Sequence, residues 1–176
     1  MSNVVGNTWH SDLWRLVFSD VPGVKTADLE YLERYVKSIS LPEYGLEFDT
    51  IEFQGYSKLL PIAHKVNTGL GLVQVEFKLS EYLKNYSILF DWIQQFRYAE
   101  QIDPLVRKYV CKALNVLVLD NEKRTLGTFS FTNAICTSIS ALPFAYGTGE
   151  EVSFTANFAF EEFLFEYKDI VDQVTG

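Results

Sequence analysis

The stretch VSFTANFAFEEFLFEY, residues 152–167, changes its hydrophobic phase halfway along. In its first half one set of alternate positions is apolar and the other is polar: Val152, Phe154, Ala156, Phe158 and Phe160 against Ser153, Thr155 and Asn157. Successive side chains of a β-strand point to opposite faces, so this pattern predicts a strand with one core face and one polar face. Beyond Glu161 and Glu162 the aromatic residues Phe163, Phe165 and Tyr167 occupy the opposite phase. We interpret the break as a bulge or strand exit, where an extra residue reverses the facing.

The paired glutamates could instead be catalytic, because glycosidases use two carboxyl groups on either side of the bond they cleave. Adjacent residues of a strand point to opposite faces, so Glu161–Glu162 cannot converge on one substrate without a bulge. The same geometry applies to Glu150–Glu151, which follows a glycine-containing turn. We therefore interpret both pairs as marks of strand ends.

Strand-like segments recur along the rest of the chain, at residues 13–18, 31–41, 46–53, 72–79, 112–119, 125–133 and 135–146. Residues 120–123 form the turn of a predicted hairpin, and Pro143 predicts a bend. One helix is predicted over residues 81–100, with Ser80 as its cap and an apolar stripe of Tyr82, Tyr86, Leu89, Phe90, Ile93 and Phe96. The sequence predicts one domain, mainly β with one flanking α-helix, as an antiparallel β-barrel or sandwich.

Three segments lie outside this pattern. Residues 1–12 are polar and irregular and are predicted to form an N-terminal arm, and residues 168–176 form a C-terminal tail. Residues 54–71 have little periodicity and are predicted to be a long loop, and loops of this length in a compact domain usually have a function.

Composition argues against several classes of protein. The formal net charge of −8 argues against a protein that binds nucleic-acid phosphates tightly, because such binding depends on Lys and Arg. The N-terminus does not resemble a signal peptide, and no apolar run approaches the ~20 residues of a membrane span. The two cysteines, Cys111 and Cys136, lie in apolar segments without a C-x-x-C pattern, which favours buried free thiols in a reducing compartment.

Candidate catalytic and ligand-binding residues are few. The sequence has two histidines, His10 and His64, and neither is spaced from a second potential ligand as in a metal site. A Cys136–His64–Asp triad rests on residue availability alone, and the more ordinary interpretation of His64 is a surface or interface contact. Gly69-Leu70-Gly71 lacks the Lys-Ser/Thr and the helix start of a phosphate loop. We therefore expect no catalytic residues, no metal and no cofactor.

The order of these elements resembles the tail-tube fold of contractile-tailed bacteriophages. Residues 36–48 (VKSISLPEYGLEF) resemble the family's strand and turn, and residues 72–93 (LVQVEFKLSEYLKNYSILFDWI) resemble its strand followed by a helix with a late Trp. Residues 131–160 resemble its closing hairpin, so the resemblance covers roughly residues 13–167. Residues 116–131 and 163–169 look closer to the tail-completion (tube terminator, sheath-stabilising) protein. The basic glycine loop of main tube proteins is only partly matched, by residues 55–58 and Pro61.

The resemblance implies a non-enzymatic virion protein of the tail, assembled in the host cytoplasm without a membrane. Six copies would form a ring with a lumen for DNA, which passes without tight binding, next to tube rings, sheath and neck proteins. Ser153, Thr155 and Asn157 become the candidate lumen face, and Phe163, Phe165 and Tyr167 the candidate inter-subunit contacts. The predicted loop becomes an inter-ring contact, with Gln54, Tyr56, Lys58, Leu60, Pro61, His64, Lys65 and Asn67 as its candidate residues.

Alternatives remain within and outside this family. The subunit could be the main tail tube protein or the baseplate tube initiator, which share the fold. From another class, the aromatic richness is also typical of a small-molecule-binding or enzymatic β-barrel.

Overall fold

A computed structural model describes residues 13–21, 23–43, 45–53, 56–67, 71–99, 110–143 and 151–168, with the backbone alone for 45–53, 56–67 and 97–99. The elements are β1 (Trp14–Ser19), α1 (Thr26–Arg34), β2 (Val36–Ser40), β3 (Gly45–Phe53), β4 (Tyr56–Asn67), β5 (Leu72–Lys78), α2 (Lys84–Ala99), β6 (Cys111–Leu119), β7 (Thr125–Ile139), β8 (Ser153–Ala159) and β9 (Glu162–Tyr167). The predicted arm, residues 1–12, and all but the first residue of the predicted tail lie outside this description.

Seven strands form one antiparallel sheet in the order β1-β6-β7-β8-β5-β2, and β9 also pairs with β7. The long strand β7 joins two halves of this sheet. Its first part pairs with β6 and β9, and its last residues, Ile135–Ile139, pair with β8. The prediction of a mainly antiparallel β fold is confirmed. Within the described residues β1 and β2 are the two ends of the sheet order and do not pair with each other, so this part of the chain forms an open, sandwich-like sheet.

The core lies between the two halves of the sheet and is closed by α2. Phe18 of β1, Trp92 of α2 and Phe158 of β8 contact one another, with ring centroids 5.8–6.4 Å apart. All three are buried, and burial of one large apolar side chain stabilises a fold by roughly 1.5–3 kcal/mol. The contact between β1 and β8 across α2 therefore holds the two halves of the sheet together.

The first helix, α1, corrects one sequence prediction. Residues 31–41 were expected to be a strand, but the strand begins only at Val36, and Tyr31 is helical. Only Leu29 and Leu32 of α1 are buried, which is too few residues for a recognisable helical period. The fold therefore has two helices and not one in the described part of the chain.

The second helix lies where the sequence predicted it but begins later and faces differently. Its start is Lys84, after a turn at residues 81–83, and Ser80 Oγ accepts a hydrogen bond from Asn85 N at 3.5 Å. Leu89 and Trp92 are fully buried, whereas Tyr82 and Phe90 are 81% and 46% exposed. The predicted stripe was wrong at Tyr82 because this residue lies in the turn before the helix, and at Phe90 because the core face of α2 includes the fully buried Asn85, Leu89 and Trp92.

Residues 54–71, predicted to be a long loop, are mostly the strand β4. It pairs with β3 to form a separate two-stranded sheet, with a register shift between Leu46 and Phe48. Pro61 and this shift interrupt the alternation, so the sequence pattern looked irregular. The element is a β-hairpin, and its inter-ring role remains a prediction.

The break at Glu161 is real but has no extra residue. Ala159 pairs with Ile135, and Glu162 pairs with Thr132. Two residues between β8 and β9, 160 and 161, therefore lie opposite two residues of β7, 133 and 134, and neither side has an extra residue. Both strands change phase together, because Asn133 adopts a left-handed backbone (φ 51°) opposite the break. The predicted change of facing and the predicted strand exit are confirmed, because β8 ends at Ala159 and β9 begins at Glu162, whereas a bulge with an inserted residue is wrong.

Candidate functional site

The sheet formed by β2, β5 and β8 has one apolar and one polar face. Strands β5 and β8 are direct partners, and Phe77 opposes Phe154 while Val75 opposes Ala156. These side chains are buried. The alternate positions carry polar residues, paired as Gln74 with Asn157, Glu76 with Thr155 and Lys78 with Ser153. The structure thus brings Ser153, Thr155 and Asn157 together on the face opposite the core, as the sequence predicted.

Glu76 is the centre of this polar face. Its carboxylate accepts hydrogen bonds from Lys37 Nζ at 2.8 Å, Ser38 Oγ at 2.9 Å and Ser153 Oγ at 2.6 Å. These donors, with Lys37 first, lower the pKa of Glu76 from 4.5 to about 2. One side chain therefore links β2, β5 and β8 while it stays ionised at every physiological pH.

The rest of the polar face carries small hydrogen-bonding groups. Asn157 Nδ2 donates to Ser138 Oγ at 2.8 Å, and Ser140 Oγ accepts from the backbone N–H of Thr155 at 3.0 Å. The remaining ion pair joins Lys78 to Glu151 at 2.9 Å. Because Lys37 is paired with Glu76, each of these lysines has a carboxylate partner. Among the described residues the face presents hydroxyl and amide groups and compensated charges.

The strand β9 carries an aromatic edge. Phe163 stacks on Phe129 and Phe131, with centroids 5.9 and 4.9 Å apart, and Phe165 stacks on Phe129 at 4.5 Å. Despite these contacts Phe165 is 53% exposed, and Tyr167, which pairs with Gly127, is 65% exposed. Of the three predicted inter-subunit residues, Phe165 and Tyr167 are therefore largely open to solvent, whereas Phe163 is partly buried and packs against the core.

The two glutamates at the strand break do not form an acid pair. Glu161 accepts a hydrogen bond from Asn133 Nδ2, and its backbone N–H donates to Thr132 O at 3.0 Å. Glu162 is exposed and lies opposite Thr132 as the first residue of β9. Their positions match the interpretation as a strand end. Glu150 lies outside the described residues, and Glu151 pairs with Lys78.

The thiols are poorly suited to nucleophilic catalysis. Burial raises the pKa of Cys136 to about 12 and that of Cys111 to about 11, so both stay protonated. No group of three or more His, Cys, Asp or Glu side chains in the described part of the chain could hold a metal ion. His10 and Gly69-Leu70 lie outside that part, and His64 is described by its backbone in β4. Neither described helix combines the length and apolarity that a membrane crossing needs.

The remaining predicted contact residues belong to the β3–β4 hairpin. Tyr56, Lys58, Leu60, Pro61, His64, Lys65 and Asn67 are all in β4, and Gln54 lies outside the described residues. Sequence reasoning missed the Glu76 cluster, because its partners are 38, 39 and 77 positions away and leave no local pattern.

No protein-family model and no curated protein matches the chain. Solved structures match it in fold. Similar chains occur in the PVC sheath-tube complex of an extracellular contractile injection system (TM-score 0.61, 12% identity, 93% of this chain and 95% of that one) and in the tube terminating cap of the anti-feeding prophage (0.62, 12%, 96% and 97%). A third is in the PVC sheath/tube terminator (0.62, 13%, 92% and 99%). The predicted tube-type fold of contractile systems is confirmed.

Proposed function

We propose that this chain is a non-enzymatic structural subunit of the tube of a contractile tail. The observation that supports the proposal is the extent of the fold match. The cap and terminator chains are matched over 97% and 99% of their own length, so the similarity includes nearly the whole of each subunit. The assembled protein would belong to a virion tail, put together in the host cytoplasm.

Within the tube we propose the terminator position, a ring that caps the tube and stabilises the sheath. Two of the matched structures are a tube terminating cap and a sheath/tube terminator, both at TM-score 0.62. The chain of the sheath-tube complex matches with a TM-score of 0.61, so the main tube subunit is an alternative. The baseplate initiator is a second alternative, which the resemblance to the tail-tube fold implies. The adjacent partners would be tube rings, sheath and neck proteins.

The proposed ring uses the two chemically different surfaces described above. Six copies would join through their open sheet edges, because an unpaired edge is a hazard in a monomer and is satisfied by a neighbour. Ser153, Thr155 and Asn157 would line the lumen. A wall of hydroxyl and amide groups with compensated charges gives phosphates no cationic row to bind, so DNA would pass without adhering.

The ring is tested by light scattering and negative-stain microscopy of the full chain over a wide range of protein concentrations. We expect six-fold rings whose mass stops increasing, because an end ring has one face that does not stack on itself. Tubes that lengthen with concentration would indicate the main tube subunit instead. Monomers at every concentration, without binding to tube or sheath proteins, would contradict the proposal.

The lumen assignment is tested by adding charge to the polar face. Thr155→Arg would place one extra cation per subunit on the wall, and we expect rings that retain DNA with an affinity that falls steeply as salt rises. Phe90→Arg is the matched control, because Phe90 is exposed on α2, which packs on the opposite side of the sheet. Equal DNA retention by the two variants would contradict the assignment of this face to the lumen.

A further inference from the structure

Strand β9 has one paired edge and one open edge in the described part of the chain. It pairs with β7 alone, without a register shift, and it contains no proline. Every residue from Glu162 to Lys168 except Phe163 is exposed, on both faces of the strand. An open edge strand of this kind offers backbone hydrogen-bonding groups to another strand.

Alternate residues of β9 direct their backbone groups to the open edge. The N–H of Lys168 donates to Leu126 O at 2.8 Å, which continues the antiparallel ladder with β7 by one pair. In such a ladder, residues whose N–H and C=O bond to one neighbour alternate with residues whose N–H and C=O point the other way. The even-numbered residues of β9 therefore bond to β7, and Phe165 and Tyr167 present their N–H and C=O at the open edge.

An apolar groove of about 500 Å³ lies along β9. Its lining includes Leu164 from one face of the strand and Phe165 from the other, so the groove reaches both faces. Leu41 and Pro42, which follow β2, also line it. Exposed apolar surface of this kind usually marks an interaction site.

The residues of β9 complement themselves in one antiparallel register. Full overlap of residues 162–168 with the same residues of a second copy places a two-fold axis at Phe165. Glu162 of each copy then lies opposite Lys168 of the other, and opposite charges that face each other across two strands are favourable. Among the described residues neither Glu162 nor Lys168 forms an ion pair within its own chain. Both charges are therefore available for this contact.

The neighbouring registers bring like charges together. An axis at Leu164 places Glu162 opposite Glu166 twice, and an axis at Glu166 places this carboxylate opposite its own copy. Like charges directly opposite each other in two strands are destabilising. The charges of β9 therefore favour the register whose axis lies at Phe165.

Phe165 would continue an aromatic row across this axis. Its ring stacks on Phe129 with centroids 4.5 Å apart, yet it is 53% exposed. Side chains directly opposite each other in an antiparallel pair lie on the same face, with Cβ atoms about 4.5–5.5 Å apart. The two Phe165 rings would therefore lie side by side and cover part of each other's exposed surface.

We propose that the open edge of β9 binds β9 of a second copy of this chain, antiparallel, about a two-fold axis at Phe165. The contact uses the same surface on both copies, so it closes after two copies and differs from the head-to-tail contacts that build a ring. The inference goes beyond the proposed function and does not depend on it, because two free subunits and two complete rings can both form this contact.

A cysteine pair that depends on the register tests the proposal. In the proposed register Leu164 lies opposite Glu166 in a pair without backbone hydrogen bonds, where Cα atoms are about 4.5 Å apart, within the range of a disulfide. Two differently tagged full-length copies, one with Leu164→Cys and one with Glu166→Cys, are co-expressed and treated with a mild oxidant. We expect a disulfide-linked dimer that carries both tags. The native thiols do not interfere, since Cys111 and Cys136 are buried.

The matched control uses Leu164→Cys in both copies. In the proposed register the two thiols are then displaced by two residues, where Cα atoms about 7–8 Å apart exceed the range of a disulfide. We expect about ten-fold less dimer than from the mixed pair. Tyr82→Cys, at a side chain that is 81% exposed, measures the background from random collisions. A yield from Leu164→Cys alone that equals the yield from the mixed pair would overturn the register.

Charge reversal provides a second measurement, the dissociation constant of the dimer from analytical ultracentrifugation. Glu162→Lys places two lysines opposite each other twice per dimer, and we expect the dissociation constant to rise about ten-fold. Lys168→Glu should have a similar effect. The double variant restores two pairs of opposite charge, and its dissociation constant should return to within about two-fold of the original. A double variant as weak as the single ones would overturn the proposal, and its recovery would exclude misfolding as the cause of the single effects.

The outcomes separate this inference from the proposed function. A mixed disulfide in dimers that never form six-fold rings supports the inference and contradicts the proposed ring, whereas a mixed disulfide between complete rings supports both. Rings without the mixed disulfide overturn the inference and leave the proposed function intact, because the edge of β9 then pairs with a different strand or with another protein. Monomers at every concentration, without a disulfide and without binding to tube or sheath proteins, overturn both.

Discussion

Glu76→Gln should destabilise the fold through the loss of the carboxylate that links three strands. Glutamine keeps one acceptor oxygen but cannot pair with the charge of Lys37, which donates at 2.8 Å. It also cannot accept from Ser38 and Ser153 with two equivalent oxygens. The substitution therefore weakens the attachment of β2, which is an end strand of the sheet order and pairs only with β5 in the described residues.

The size of the loss follows from the pKa of Glu76. A decrease from 4.5 to about 2 corresponds to roughly 3 kcal/mol at 1.36 kcal/mol per pKa unit. The side chain is 29% exposed and Lys37 is more exposed still, so solvent screens part of this interaction. We expect a decrease of about 1–2 kcal/mol in the free energy of unfolding at pH 7.

The loss depends on pH in a defined direction. A carboxyl group whose pKa is lower in the folded state contributes stability above its unfolded value, near 4.5, and loses it as the pH falls toward 2. The difference between wild type and variant should therefore be constant from pH 8 to pH 6. At pH 3 it should fall to less than about half, because folding then requires the carboxyl group, protonated in the unfolded chain, to lose its proton.

Urea unfolding at pH 7 and pH 3 measures this difference, at one fixed protein concentration because assembly changes apparent stability. The matched control is Glu151→Gln, which removes an exposed carboxylate with one partner, Lys78, on the same face. Its effect should be much smaller. The reasoning is refuted if the two variants are equally stable at pH 7, or if the effect of Glu76→Gln is the same at both pH values.

Three further predictions concern the core. Trp92→Ala should lower the free energy of unfolding, measured in urea, by about 3–5 kcal/mol, and Trp92→Phe should lower it less. Equal losses for the two variants would show that the indole does not fill the space between Phe18 and Phe158. Asn85→Ala should lower the free energy of unfolding, again measured in urea, by about 2–3 kcal/mol. The reason is that Asn85 Nδ2 donates a hydrogen bond to Lys78 O at 2.6 Å and Asn85 Oδ1 accepts one from the Ser80 backbone N–H at 3.1 Å. An unchanged free energy of unfolding would contradict this network. The two cysteines should not react with a thiol reagent at pH 8 until urea is added, because burial raises the pKa of both thiols. Labelling of the folded protein would contradict this prediction.

The sequence predicted those elements whose burial is regular. Strand β8 has buried residues at every second position, because one face packs on α2 and the other is polar. Strand β5 behaves in the same way. Local alternation is sufficient for such strands, since the side-chain period of two identifies the face directly.

The elements that the sequence pattern predicted wrongly have irregular burial or depend on residues that are distant in the chain. Helix α1 has only two buried residues, and the segment YLERYVKSISL, residues 31–41, predicts a strand because it contains aromatic and β-branched residues. The core face of α2 includes Asn85, and an apolar stripe cannot reveal a buried amide. The change of phase near Glu161 depends on Asn133, a residue in another strand, so β8 and β9 alone contain no signal for its cause.

The polar wall and the aromatic core depend on the same register. Val73 opposes Phe158 and Phe77 opposes Phe154, and this alignment necessarily places Glu76 beside Thr155 on the other face. A slip of one residue between β5 and β8 would move every aromatic residue of β8 to the wall and every hydroxyl to the core. Because Glu76 bonds to Ser153 across this pair, the polar face itself resists the slip. The hydrogen bonds that neutralise the proposed channel wall are therefore also those that fix which face becomes the wall.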